Sequence, residues 1–160
     1  MSHISNKFRY SVYSLAISTY ILILLGAYVK AIGAGLACPD WPLCNGKLIP
    51  DIHDSLIFAE WFHRLWAMLN GFLLLYVLYL SLEYKSNIPE LYGLTLIEVV
   101  LYGAQVIFGA LTVTQKLEPI IVVIHLGNAI LIIILQLTLI FVIIISKSGK
   151  QPSPQTNPIS

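Results

Sequence analysis

Four apolar runs, each long enough to cross a bilayer, leave this chain few folds to choose from. They cover residues 10–29, 58–82, 91–113 and 119–146. A hydrocarbon core about 30 Å thick takes roughly twenty helical residues to cross, and each run reaches that length. An isolated run can satisfy its backbone in lipid only as a helix, because an open strand would leave N–H and C=O groups facing hydrocarbon. The expected fold is an all-α integral membrane bundle of four transmembrane helices. Composition agrees, with 58% of the 160 residues hydrophobic and only 11% charged, outside the balance of a soluble domain. A formal net charge of +1 offers no basic stripe to nucleic acid, so no nucleic-acid partner is expected.

The links between the runs are uneven. EYKSNIPE and TQKLEP are short, whereas residues 30–57 are enough to hold structure of their own. The first run lacks a small-residue cleavage site of the A-x-A kind, so it is expected to stay as an anchor. The Pro- and Ser-rich tail, 147–160, is expected to be disordered. Lys7, Arg9, Lys85, Lys147 and Lys150 fall on one side of the membrane against Lys30, Lys47 and Lys116 on the other. The positive-inside rule then puts both termini in the cytoplasm and the long link outside, in a multi-pass protein of the cell membrane.

That link contains CPDWPLC, from Cys38 to Cys44. Outside the cytoplasm a disulfide persists, and one here would close a small ring. A small ring contributes little loop-closure entropy, so it would fix local shape rather than hold the bundle together. Two free thiols are the alternative, and a metal site is disfavoured because a third ligand is lacking nearby.

Ionisable groups inside membrane helices are costly and mark function by default. Here they are Glu60, His63, Arg64, Glu98 and His125, with Asn70, Gln105, Asn128 and Gln136 as uncharged companions. The second and fourth runs cross in the same direction. At a rise of about 1.5 Å per residue, His63 and His125 lie at nearly the same depth, near the end that carries the long link. Two imidazoles at one level on separate helices are what axial ligation of a haem iron requires; histidines held by structural hydrogen bonds are the alternative. Small residues follow each histidine on its face, Ala67 and Gly71 below His63 and Ala129 below His125, leaving room for a flat ring or simply letting helices approach. Glu60 stands one turn before His63 on the same face. It could accept a proton, stabilise a developing cation, or pair with Arg64 at i+4. Arg64 could instead neutralise a haem propionate. For Glu98 the default is a hydrogen bond within the bundle, with a proton route as a weaker idea.

Most of these residues, though not Glu98 or Gln136, sit in stretches that resemble haem A synthase: GAYVKAIGAGLACPDWPLCNGKLIP, EWFHRLWAMLNG, QVIFGALTV and IHLGNA. The combination of a Cys-x5-Cys loop with a following E-x-x-H-R carries the specificity. The resemblance implies an oxidoreductase that converts one methyl group of haem O to a formyl group, through hydroxylated intermediates, to give haem A for cytochrome oxidase. It implies that His63 and His125 ligate the haem iron, that Glu60 acts in catalysis, that Cys38 and Cys44 form a disulfide, and that the link is a lid over the site. The haem so held is haem O as substrate, haem b as cofactor, or both. Haem O synthase is a candidate partner as the supplier of substrate.

One departure stands out. Typical members resemble two four-helix halves in tandem with a second histidine pair, while this chain has one half and one pair. The simplest expectation is a homodimer or higher homo-oligomer that divides the roles. Competing readings are a bis-histidine haem b electron carrier, in which Glu60 has no chemical role, and a thiol-redox or quinone-linked membrane protein using Cys38 and Cys44. The second fits poorly, since reactive pairs usually sit closer, as Cys-x-x-Cys. A purely structural subunit would leave the matched histidines as accidents.

Overall fold

In the computed structural model residues 4–148 are described, so the tail expected to be disordered lies outside the described residues from residue 149 onward. Four helices follow in order: α1 (Asn6–Ala31), α2 (Ser55–Ser81), α3 (Pro89–Thr114) and α4 (Pro119–Ser148). All four are long and apolar enough to span a membrane, and no strand occurs among the described residues.

Three helices begin earlier than the apolar runs, because caps rather than hydrophobicity set their starts. The Ser5 hydroxyl accepts the Phe8 N–H at 3.2 Å, so α1 opens at Asn6. The Asp54 carboxylate accepts the N–H groups of Leu56 and Ile57 at 2.8 and 3.2 Å, starting α2 at Ser55. Pro89 opens α3, where its missing N–H costs nothing. Helix α1 stops at Gly33, whose φ of 76° is open to glycine but strained for other residues.

Each of α1 and α3 packs against both α2 and α4, which stand diagonally across the bundle. At one end the Ser5 N–H donates to the Tyr84 hydroxyl at 2.9 Å, tying the α2–α3 connection to the start of α1. At the other end Gly35 lies against the Leu117 side chain, joining the long link to the α3–α4 turn. The large apolar core, Phe8, Val12, Leu15, Leu74, Tyr84, Leu139 and their neighbours, fills the half of the bundle near the N-terminus. In the half near the link, apart from Val29 and Val113, the buried residues include many small or polar ones, among them Ala34, Cys38, Cys44, Glu60, Asn128 and Ala129. Outward faces expose Ile17, Leu24, Phe72, Leu75, Ile107 and Leu137, which is tolerable only against lipid tails. The chain is a multi-pass membrane protein.

Between the two halves one residue from each helix joins a polar clasp. Gln136 Nε2 donates to Glu98 Oε1 at 2.6 Å and to Thr19 Oγ1 at 2.9 Å. Asn70 Nδ2 donates to the same hydroxyl at 3.0 Å. Glu98 thus has the bundle hydrogen bond expected of it.

Candidate functional site

Helix α2 projects Glu60, His63 and Arg64 into the half of the bundle near the link, and α4 projects His125 from the diagonal position. Each imidazole is backed by a glycine of the neighbouring helix. A Cβ on Gly26 would come within 3.1 Å of His63 Cε1, and one on Gly109 within 3.4 Å of His125 Cε1. Both Nδ1 atoms are buried without a hydrogen-bond partner among the described residues, which is unusual for buried polar nitrogen. Gln105 Nε2 stands 3.5 Å from His125 Nε2, too long for a strong hydrogen bond. Asn128 holds that amide by donating to Gln105 Oε1 at 2.7 Å and to the Leu101 carbonyl at 3.0 Å.

The space expected below His63 is partly filled. Tyr102 of α3 reaches across, its hydroxyl donating to the Ala67 carbonyl at 2.6 Å, and its ring lies where a Cβ on Gly71 would meet it at 3.2 Å. A buried phenol needs an acceptor, and the small residues of α2 leave a backbone carbonyl within reach. The small residues here admit a neighbouring helix's side chain.

Cys38 and Cys44 form a disulfide, and both are buried. The ring is finished by a tight turn, Asn45–Gly46, with φ of 52° and 74°. Cys44 and Lys47 exchange backbone hydrogen bonds of 2.9 and 3.1 Å across it, as in a two-residue hairpin turn. The Asp40 carboxylate accepts the Asn45 and Gly46 N–H groups at 2.6 and 2.8 Å. The Gly46 N–H is the main cause that holds this carboxyl below the usual carboxylate range; desolvation opposes it, and the Asn45 N–H adds a smaller contribution in the same direction as Gly46.

Glu60 is buried, and its Oε1 accepts from Arg64 Nε at 2.8 Å. The rest of that guanidinium points to the ring. Nη1 donates to the Asp40 and Leu43 carbonyls and Nη2 to the Cys38 carbonyl, each at 2.7 Å. Four of the five N–H groups that an arginine carries are used, so the propionate contact expected of Arg64 has one left to draw on. Farther along the link, the Trp61 indole N–H donates to the Leu48 carbonyl at 2.9 Å.

The fold therefore gathers Glu60, Arg64, Cys38 and Cys44 into one bonded group, sets His63 and His125 on diagonal helices, and leaves Glu98 apart in the clasp. Sequence reasoning passed over Asp40, Asn45 and Gly46, although Asn-Gly directly after a cysteine is a strong turn signal. It had no signal for Gly26 and Gly109, whose part depends on which helix lies beside them.

A family model described as the cytochrome oxidase assembly protein COX15-CtaA matches residues 9–159. The chain belongs to this family. Among curated members, a heme A synthase of Symbiobacterium thermophilum is 46% identical over 67 residues, which is 42% of this chain and 22% of that protein. A heme A synthase of Bacillus cereus strain G9842 is 32% identical over 121 residues, and one of Bacillus anthracis strain A0248 is 31% identical over the same length; each alignment takes in 74% of this chain and 38% of the relative. The chain thus matches well under half the length of these family members.

Proposed function

We propose that this family member oxidises the pyrrole methyl group of haem O to the formyl group of haem A, with His63 and His125 as axial ligands of the haem iron and Glu60 as the catalytic carboxylate. The observation that carries the reading is the pair of imidazoles on diagonal helices, each with a buried Nδ1 that has no hydrogen-bond partner among the described residues. They stand where the interior has small and polar residues in place of the large apolar core. Residues of this kind fit a flat, apolar macrocycle with a metal at its centre. When bound, the haem supplies both the substrate methyl group and the iron.

The chain's own contribution is placement and proton handling. Gly26 and Gly109 seat the two rings from behind. Glu60, one turn from His63, can take up or hold a proton while Arg64 keeps one of its oxygens oriented. The remaining N–H of Arg64 is available to a propionate. The disulfide-closed link covers this end of the site as a lid. Lysine and arginine distribution supports placing the lid outside the cytoplasm and both termini inside. A homo-oligomer in which separate copies hold haem O and haem b belongs to the same reading, symmetric pairing of identical bundles being the commonest assembly. Haem O synthase is the partner whose product this site would receive.

The test is purification after expression in a host that makes haem O, with absorption spectra of both redox states and chromatography of the extracted haem. The expected result is a bis-histidine spectrum with haem O, hydroxylated haem and haem A. Glu60→Gln should retain haem and lose methyl oxidation by about a hundredfold or more, the usual worth of a general acid–base group. Haem b alone, unchanged in redox behaviour by Glu60→Ala, would identify an electron carrier instead. A folded protein that takes up no haem would overturn both.

A further inference from the structure

Three carbonyls of one small ring converge on a single cation. Cys38, Asp40 and Leu43 all lie within CPDWPLC, and each accepts from the Arg64 guanidinium at 2.7 Å. Such convergence requires a closed and stiffened ring, which the disulfide and the Asp40-capped turn supply. The fourth N–H in use belongs to Nε and holds Glu60 Oε1 at 2.8 Å. A guanidinium is planar and rigid. Once three carbonyls set the plane of its Nη groups, the direction of the Nε–H is set as well, and with it the position of the carboxylate.

We propose that Arg64 is a positioning residue that latches the Cys38–Cys44 ring onto α2 and through the same planar group orients Glu60, so that closure of the ring decides where the carboxylate points. A lysine cannot take its place, because one ammonium cannot span three ring carbonyls and the carboxylate from a fixed plane. Opening the ring scatters the carbonyls, frees the guanidinium and lets Glu60 turn. The lid and the acid–base group then act as one unit. This consequence for turnover rests on the role of Glu60 proposed above, whereas the latch is read without haem chemistry, so the two can fail separately.

The experiment uses the full chain in lipid nanodiscs. Infrared difference spectra against Glu60→Gln assign the Glu60 carboxylate band, which is recorded before and after a water-soluble phosphine reduces the disulfide to two thiols. Maleimide mass tagging follows the rate of that reduction. In the wild type the Glu60 band should shift as the ring opens. In Arg64→Lys the band should start at the opened-ring position and stay there, and the ring should be reduced at least about tenfold faster, since tenfold is roughly the loss of one charge-assisted hydrogen bond and three hold the ring. A Glu60 band indifferent to ring opening overturns the proposal. So does an Arg64→Lys ring that is reduced at the wild-type rate with the band unshifted. Should Arg64→Lys fail to fold, the wild-type comparison decides by itself.

Discussion

Asp40 serves the ring twice: its carboxylate collects the Asn45 and Gly46 N–H groups while its carbonyl accepts from Arg64. The two backbone donors lower the pKa of that carboxyl, that of Gly46 most. A depressed folded-state value contributes stability that is present above the ordinary aspartate range, about 3.9, and is lost as pH falls through the lower folded value. The turn should therefore be intact at neutral pH and loosen only in strong acid, read from the amide chemical shifts of Asn45 and Gly46. Asp40→Asn, which offers one acceptor oxygen in place of two, should shift both resonances at neutral pH and abolish the acid transition. At this scale the sequence was readable wherever identity and helical spacing suffice. Glu60, His63 and Arg64 share a turn of α2, so their proximity needs no tertiary information. The partners of Arg64 were not readable, since its carbonyl acceptors lie 21 to 26 residues away and backbone oxygens look alike in every residue.

At the scale of the helices, two glycines decide how closely α1 and α3 approach the histidines of their neighbours. Gly26→Ala would place a methyl 3.1 Å from His63 Cε1, while Gly109→Ala would sit at 3.4 Å from His125. The first should displace its imidazole and destabilise by about 1–3 kcal/mol, as overpacking does, and the second should be milder. Haem retention and the low-spin electron paramagnetic resonance spectrum of the loaded protein measure both, with Gly26→Ala expected to be the more perturbed. The clasp makes a separate prediction. Gln136→Leu strips the donor from Glu98 and one of two donors from Thr19, leaving a buried carboxyl unpartnered at a cost of about 1–3 kcal/mol or more. Unfolding in mixed micelles should show that loss, and the paired change Glu98→Leu with Gln136→Leu should recover part of it. Helix existence was clear from the apolar runs, but their starts were not, because Ser5, Asp54 and Pro89 lie outside the hydrophobic pattern and act through hydrogen bonding and fixed φ.

Across the whole molecule the bundle is divided into a tightly packed apolar half and a half built from small and polar groups. The first supplies the stability that lets the second keep orphaned nitrogens and a buried ion pair. If separate copies hold separate haems, sedimentation of the detergent-solubilised protein should give a mass of at least two chains, and a monodisperse, haem-loaded monomer would remove that arrangement. By itself the sequence determined a four-helix membrane fold, because run length and backbone satisfaction in lipid depend on consecutive residues alone. Helical periodicity likewise put Glu60 and His63 on one face. Only the tertiary structure decided that α2 and α4 stand diagonally, that Tyr102 takes up part of the space beneath His63, and that Arg64 is turned toward the disulfide ring. Those outcomes depend on which helix lies beside which and on competition among donors for the same few carbonyls, and neither is encoded in the spacing of residues along one chain.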